Sequence, residues 1–279
     1  MSAERNVYTY AIRRQGAYHR RENLPCQDAF ALWTGVVENN RIYIMAVADG
    51  LGSSGYDLSH YGAALATEAA VDELRSLYHE FSSSKNELFK NLQSNFPNGV
   101  LKRWKGKIAR DIKKREPLIH ETTDFLKRYG TTLLISMITP EGIFLGQLGD
   151  GDILILQTNG KVEKPIPGST ELIANETHSL TSPDSPRLWR IETYSIDSPA
   201  LIMISTDGLS NSFESDEEFH KFARSFYHHM IEHGIHKGME RSLEQLQLPQ
   251  WIDNASEKGS GDDITLGVAL IEPDFIKVK

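Results

Sequence analysis

Short apolar blocks with strand-like alternation open the chain at residues 7–12, 29–34 and 41–48, the last two separated by an Asn39-Asn40 turn. After Asp49 the period changes. Ala63, Leu65, Ala66, Ala69, Ala70, Leu74 and Leu77 recur near helical spacing, which predicts a long amphipathic helix over Ser59–Phe81, leaving a loop at 49–58 that holds Gly50, Gly52 and Gly55. Residues 82–128 are polar and charged. Pro97-Asn98-Gly99 predicts a break there, and Leu101, Trp104, Ile108 and Ile112 form a helical stripe, so this stretch reads as a helical, basic insertion. Strand signals return at 131–139, 143–148 and 153–157 with turns at Pro140-Glu141-Gly142 and Asn159-Gly160, an antiparallel meander. Pro165, Pro167, Pro183 and Pro186 mark residues 164–187 as a long irregular loop, a kind of segment that often carries function. Strands at 190–194 and 200–205, helices at 216–233 and 237–248, and a last strand at 264–271 complete the pattern. No repeat or linker interrupts it. The expectation is one α+β domain over residues 1–279, with sheets packed between helical layers.

Composition adds limits. Hydrophobic residues are 39% and charged residues 24% of 279, as in globular proteins, which argues against wholesale disorder. The longest apolar stretches, 42–48 and 200–204, are strand-sized and far short of the ~20 residues of a membrane-spanning helix. The first ten residues carry Glu4 and Arg5 and lack the apolar core of a secretion signal. Cys26 is the only cysteine, so neither an intramolecular disulfide nor a cysteine-only zinc site can form, and a reducing, cytoplasmic setting is expected. A net charge of -8 argues against nucleic acid as a partner. Eight bases nevertheless crowd residues 102–115 against the single acid Asp111. That segment is read as a solvated helix face or, more sharply, as a docking face for an acidic phosphoprotein and, after that, for nucleic acid.

The acidic excess has a pattern. Three apolar strands run directly into aspartate-glycine pairs, Asp49-Gly50, Asp150-Gly151 and Asp207-Gly208, and Asp262-Asp263 stands immediately before the last strand. One such pair is an ordinary turn. Several carboxylates converging at one sheet end would repel one another unless cations lay between them, and Mg or Mn suits an oxygen-rich site.

These residues resemble, in order along most of the chain, the motifs of the metal-dependent serine/threonine protein phosphatases of the protein phosphatase 2C type, in a divergent, bacterial-looking form. The similar segments are Cys26-Gln27-Asp28-Ala29, Ala46-Val47-Ala48-Asp49-Gly50-Leu51-Gly52, Gly130-Thr131-Thr132, Gly149-Asp150-Gly151, Ser205-Thr206-Asp207-Gly208-Leu209 and Asp262-Asp263-Ile264-Thr265. The resemblance implies a four-layer α-β-β-α sandwich of two mainly antiparallel sheets, with two Mn or Mg ions at one end. It implies that Asp49 bridges the metals, Gly50 offers its carbonyl, Asp207 and Asp262 complete one ion's ligands, and Asp28 holds metal-bound water. Asp150 matches the position that binds a third ion in some members. The implied activity is hydrolysis of phosphoserine and phosphothreonine on proteins by a metal-bridging water, opposing a cognate kinase. No side-chain nucleophile is needed, so Cys26 is assigned to packing.

Two positions depart from the family pattern. Leu51 stands where many members carry a histidine that protonates the leaving group, which leaves His19 and His60 as candidate acids. Asn23 stands where the family has a phosphate-binding arginine, which leaves Arg20 and Arg21 as candidates. Alternative readings are a phosphatase of small phosphoesters and a phosphatase-like signalling or binding module with little turnover.

Overall fold

In strand β3 (Asn40–Ala48), Ile42, Ile44, Ala46 and Ala48 enter one apolar core, while Tyr43, Met45 and Val47 enter another. A strand buried on both faces lies between two layers. The computed structural model describes residues 6–115, 123–167, 177–196, 199–232 and 247–272. One five-stranded sheet has the order β2 (Ala29–Val37), β3, β4 (Leu133–Thr139), β5 (Gly142–Leu148), β8 (Arg190–Tyr194), and the other β1 (Val7–Arg14), β10 (Ile264–Ile271), β9 (Pro199–Ser205), β6 (Asp152–Gln157), β7 (Val162–Glu163). All pairings are antiparallel. Met45, Val47, Leu134 and Leu145 from the first sheet meet Ile153, Ile155, Ile202 and Ile204 from the second, making the inter-sheet core.

Helices close both outer faces. Helix α2 (Ser59–Phe81) buries Ala63, Ala66, Ala70, Leu74 and Leu77 against the first sheet, and α3 (Lys85–Arg115) packs on it. On the other face α6 (Asp216–Glu232) buries Phe219, Ala223, Phe226 and Met230, and α7 (Leu248–Lys258) buries Leu248 and Ile252. Phe222 and Trp251 stack in parallel between these helices, with ring centroids 4.4 Å apart. The result is the α+β, four-layer α-β-β-α sandwich expected from the sequence. Among the described residues, no helix is long and apolar enough to cross a membrane.

Three local expectations need correction or completion. Pro97-Asn98-Gly99 does not break the helix: α3 runs through Pro97, and Leu92, Phe96, Val100, Trp104, Ile108 and Ile112 form one buried stripe. An interior proline costs about 3 kcal/mol. Each fully buried large apolar side chain returns roughly 1.5–3 kcal/mol, so the stripe outweighs the proline. Residues 17–22, which no element expected from the sequence covers, form the short helix α1 (Ala17–Glu22). The helix expected over 237–248 lies outside the described residues except for its end, where α7 begins, as do residues 116–122 of the basic stretch and 168–176 of the long loop.

The bases of α3 divide into two sets. Arg103 pairs with Glu73, Lys107 with Glu68 and Asp72, and Arg115 with Asp111, while Arg115 also covers the Tyr61 ring at 3.4 Å. Lys113 and Lys114 face solvent.

Candidate metal centre

Five aspartates reach one end of the sandwich from five chain segments: Asp28 just before β2, Asp49 after β3, Asp150 between β5 and β6, Asp207 after β9, and Asp262 before β10. Asp49, Asp150 and Asp262 line a cavity of about 350 Å³ together with Gly50, Gln27 and His19. Among the described residues, no lysine or arginine lines it.

Each carboxylate is held by a different local device. Asp28 is almost completely buried and accepts a 2.8 Å hydrogen bond from Thr206 Oγ1. Thr206 Oγ1 in turn accepts from the Thr265 amide at 2.9 Å. Asp49 is fixed through its backbone: its amide donates to Thr132 Oγ1 at 3.0 Å, and its carbonyl accepts from the Thr131 hydroxyl and the Thr132 amide, both at 2.8 Å. The Gly130-Thr131-Thr132 segment thus acts as a clamp on the Asp49 peptide groups. Thr177 Oγ1 donates to Asp150 at 2.6 Å, and the Asn211 side chain donates to Asp207 at 3.0 Å.

Asp263 differs from its neighbour Asp262. It is buried and its oxygens accept from the Gly16 amide at 2.6 Å, the Gln27 amide at 2.6 Å and His19 Nδ1 at 2.7 Å. Three donors on one carboxylate tie α1 and the Asp28 loop to the start of β10. His19, Asp262 and Asp263 place ligand-type atoms within 4.8 Å of one another, but the oxygens of Asp263 are already committed to these donors. Close backbone approach makes this junction possible. A Cβ on Gly16 would lie 2.3 Å from the Asp262 carbonyl carbon, and one on Gly208 would lie 2.1 Å from the Asp263 carbonyl oxygen, so only glycine fits on either side.

The electrostatics separate the two roles. Burial and then the charges of Asp28, Asp207, Asp262 and Asp150 push Asp49 well above the ordinary carboxylate range. Burial and the neighbouring Asp263 do the same to Asp28, and burial with Asp150 and Asp262 pushes Asp207 up to about 6. Burial also raises Asp262. Asp263 moves the other way: burial pushes it up, but the bonds from His19, Gly16 and Gln27 outweigh that and hold it below the usual range. His19 is raised by its bond to Asp263. Four carboxylates thus resist ionising and one favours it, which separates Asp263, whose charge is met by its donors, from the four whose charge is not. Hard oxygen donors crowded in this way fit Mg or Mn.

The remaining candidates fall elsewhere. Arg20 bonds the Gln15 carbonyl and lies 3.8 Å from Asp253, and Arg21 is exposed on α1. Neither lines the cavity, so the structure does not bring the two proposed phosphate-binding arginines to it. Helix α1 is the reason, because a helical rather than extended segment carries Arg20 round to Gln15 and Asp253. His60 lies against the Tyr61 ring, tilted by 43° with centroids 3.9 Å apart, and is also absent from the cavity wall, whereas His19 is part of it. Burial pushes the Cys26 thiol up, away from the reactive thiolate. Thr206 and Asp263 sit inside recognisable motifs, but their distant partners carry no sequence signal.

A two-sheet sandwich with aspartates converging on an acidic cavity defines a metal-dependent hydrolase, and comparison with known proteins specifies which. The model of the family described as Protein phosphatase 2C matches residues 15–247. The chain belongs to the protein phosphatase 2C family. It is similar in structure to a bacterial serine phosphatase at 15% identity and TM-score 0.60, covering 97% of this chain and 100% of that one. It is also similar to the Mycobacterium tuberculosis serine/threonine phosphatase PstP/Ppp at 17% identity and TM-score 0.56, covering 95% and 99%. The catalytic domain of PstP in complex with two manganese ions aligns at 17% identity and TM-score 0.54, covering 96% and 99%. No curated protein matches the chain.

Proposed function

We propose that this chain is a metal-dependent phosphatase that releases phosphate from phosphoserine or phosphothreonine on proteins, opposing a kinase in the cytoplasm. The observation that carries this reading is the set of aspartates Asp28, Asp49, Asp207 and Asp262, whose ionisation is opposed by burial and by one another, with no lysine or arginine among the described residues that line the cavity of Asp49 and Asp262. Asp49, Asp207, Asp262 and the Gly50 carbonyl would hold two Mn or Mg ions, and Asp150 with Asp207 a third. When bound, such ions neutralise phosphoryl charge and make water a competent nucleophile near neutral pH. The chain's own residues do the rest. Asp28, fixed by Thr206, would hold metal-bound water, and the Thr131-Thr132 clamp holds Asp49 so that its carboxylate needs no rearrangement.

A protein substrate is favoured over a small phosphoester by what adjoins the cavity. A cleft of about 1060 Å³ shares Leu51, Gly52 and Thr177 with it and continues past Tyr56, Leu101 and Lys105, giving room for residues flanking a phosphorylated side chain. Of the eight bases at 102–115, Arg103, Lys107 and Arg115 pair with acids of α2 and α3, while Lys102, Lys105, Arg110, Lys113 and Lys114 are exposed. The test is phosphate release from a phosphothreonine peptide. Release should need Mn or Mg, stop on chelation and return with added metal. Full activity after exhaustive chelation, with metal absence verified by elemental analysis, would overturn the reading. Equal kcat/KM on a small alkyl phosphoester would return the substrate to that class, and metal binding without turnover would favour the signalling module.

A further inference from the structure

We propose that His19, aligned by Asp263, is the catalytic residue that hands a proton to the leaving oxygen of the substrate. The inference rests on the phosphatase reading above. A seryl or threonyl alkoxide is a poor leaving group, so its departure calls for a proton donor in the cavity. Leu51, which follows Gly50 on the cavity wall, has none.

The polar groups of the wall can be taken in turn. The Gln27 side chain donates to Ser59 Oγ at 2.8 Å, Thr177 donates to Asp150, and Ser260 Oγ donates to the Gly208 carbonyl at 2.8 Å. Tyr18 is 50% exposed at the rim. Asp49, Asp150 and Asp262 are the carboxylates of the centre itself. His19 is the remaining donor. It is 7% exposed, and its Nδ1 is spent on Asp263 Oδ2 at 2.7 Å.

That bond sets the chemistry of the other nitrogen. A carboxylate already accepting two amide hydrogens is an acceptor for the third contact as well, so Nδ1 carries a hydrogen. Nε2 has no partner among the described residues and is not sealed from solvent, on a side chain that forms part of the cavity wall. The 2.7 Å ion pair with the Asp263 carboxylate stabilises an imidazolium, in which Nε2 also bears a hydrogen. The Gly16 and Gln27 amides hold Asp263 from both sides, so the ring has one orientation, and Asp263 acts as a positioning residue.

In the step, a water oxygen forms the new bond to phosphorus as the bond from phosphorus to the seryl or threonyl oxygen breaks. The electron pair of that bond goes to the departing oxygen, which takes the proton from Nε2. One hydrogen of the attacking water stays on the released phosphate and the other goes to solvent, which returns a proton to His19. Atoms and charge balance without a further reactant.

The experiment compares leaving groups in the Mn-loaded protein. On a phosphothreonine peptide, His19→Gln should lower kcat by about 100-fold or more, whereas on p-nitrophenyl phosphate, whose phenolate leaves unprotonated, the loss should be much smaller, about threefold. Asp263→Asn should show the same asymmetry to a lesser degree. Calorimetric titration with Mn should give affinities for His19→Gln within about twofold of the parent. Equal losses on both substrates, or a tenfold weaker Mn affinity, would make His19 part of the scaffold or the metal site and overturn the proposal. If His19→Gln does not fold, the parent protein still decides: a shallow dependence of kcat on leaving-group pKa across alkyl and aryl phosphates supports a proton donor, and a steep one overturns it. A parent inactive on every phosphoester would fail the phosphatase reading itself, and this inference with it.

Discussion

Thr206 Oγ1 donates to Asp28 Oδ2 at 2.8 Å while accepting from the Thr265 amide at 2.9 Å, so one hydroxyl joins the end of β9, next to Asp207, to the loop bearing Asp28. Thr206→Val keeps the shape and removes both bonds. Leaving a buried group unsatisfied costs about 1–3 kcal/mol. Urea denaturation should therefore show a loss of that size, and turnover at saturating Mn should fall by about 10- to 100-fold, as for residues that orient metal-site groups. Stability and turnover within error of the parent would show that Asp28 does not depend on this bond.

The raised carboxylates predict how the metal-free protein responds to pH. Asp207, at about 6, and Asp28, Asp49 and Asp262, also raised, bind protons in the folded state at pH values where the unfolded chain has lost them. Their contribution is present below the unfolded value near 3.8 and is lost as pH rises through the folded values. Asp263 has the opposite sign: its contribution is present above the unfolded value and is lost as pH falls through its depressed one. Thermal melts without metal should therefore lose stability from pH 4 towards 7, and saturating Mn should remove that loss. A metal-free melting temperature that rises across the same range would contradict the assignment.

Asp49→Asn removes the charge that the other four aspartates oppose most directly. If Asp49 is the ligand shared by the two ions of the proposed centre, turnover at saturating Mn should fall by at least about 100-fold. The metal-free protein should be as stable as the parent or slightly more so, because closely placed anions disfavour one another. A folded variant, checked by circular dichroism, with near-parental activity would remove Asp49 from the centre. If it unfolds, Asp207→Asn takes its place.

Trp104 is fully buried on α3 and donates through Nε1 to the Gly62 carbonyl of α2 at 3.0 Å. Trp104→Ala should cost about 3–5 kcal/mol in chemical denaturation. Lys113→Gln and Lys114→Gln on the exposed face of the same helix should stay within about 0.5 kcal/mol. Similar effects at the buried and exposed positions would contradict the packing of α3 as an integral layer.

The sequence by itself determined the sandwich and the location of its acidic end. Apolar strands stopping at Asp49-Gly50, Asp150-Gly151 and Asp207-Gly208, and one starting after Asp263, are local patterns, and local period is what a sequence displays. The same patterns do not separate Asp262 from Asp263, which share chemistry and differ by one position. Tertiary structure separates them: Asp263 meets the Gly16 amide and His19, some 245 residues away in sequence, while Asp262 lies on the cavity wall. Long-range partners also decided the fate of the arginines, since α1 turns Arg20 towards Asp253 on α7. Pro97 and the small segment Asn98-Gly99 read as a break because propensity counts only neighbours, whereas the helix is held through them by the apolar stripe buried against α2. Strand ends and residue types are written locally. Which carboxylate lines the cavity and which faces a histidine is set only when segments far apart in the chain are brought together, and hydrogen bonding and burial then decide the charge each one can carry.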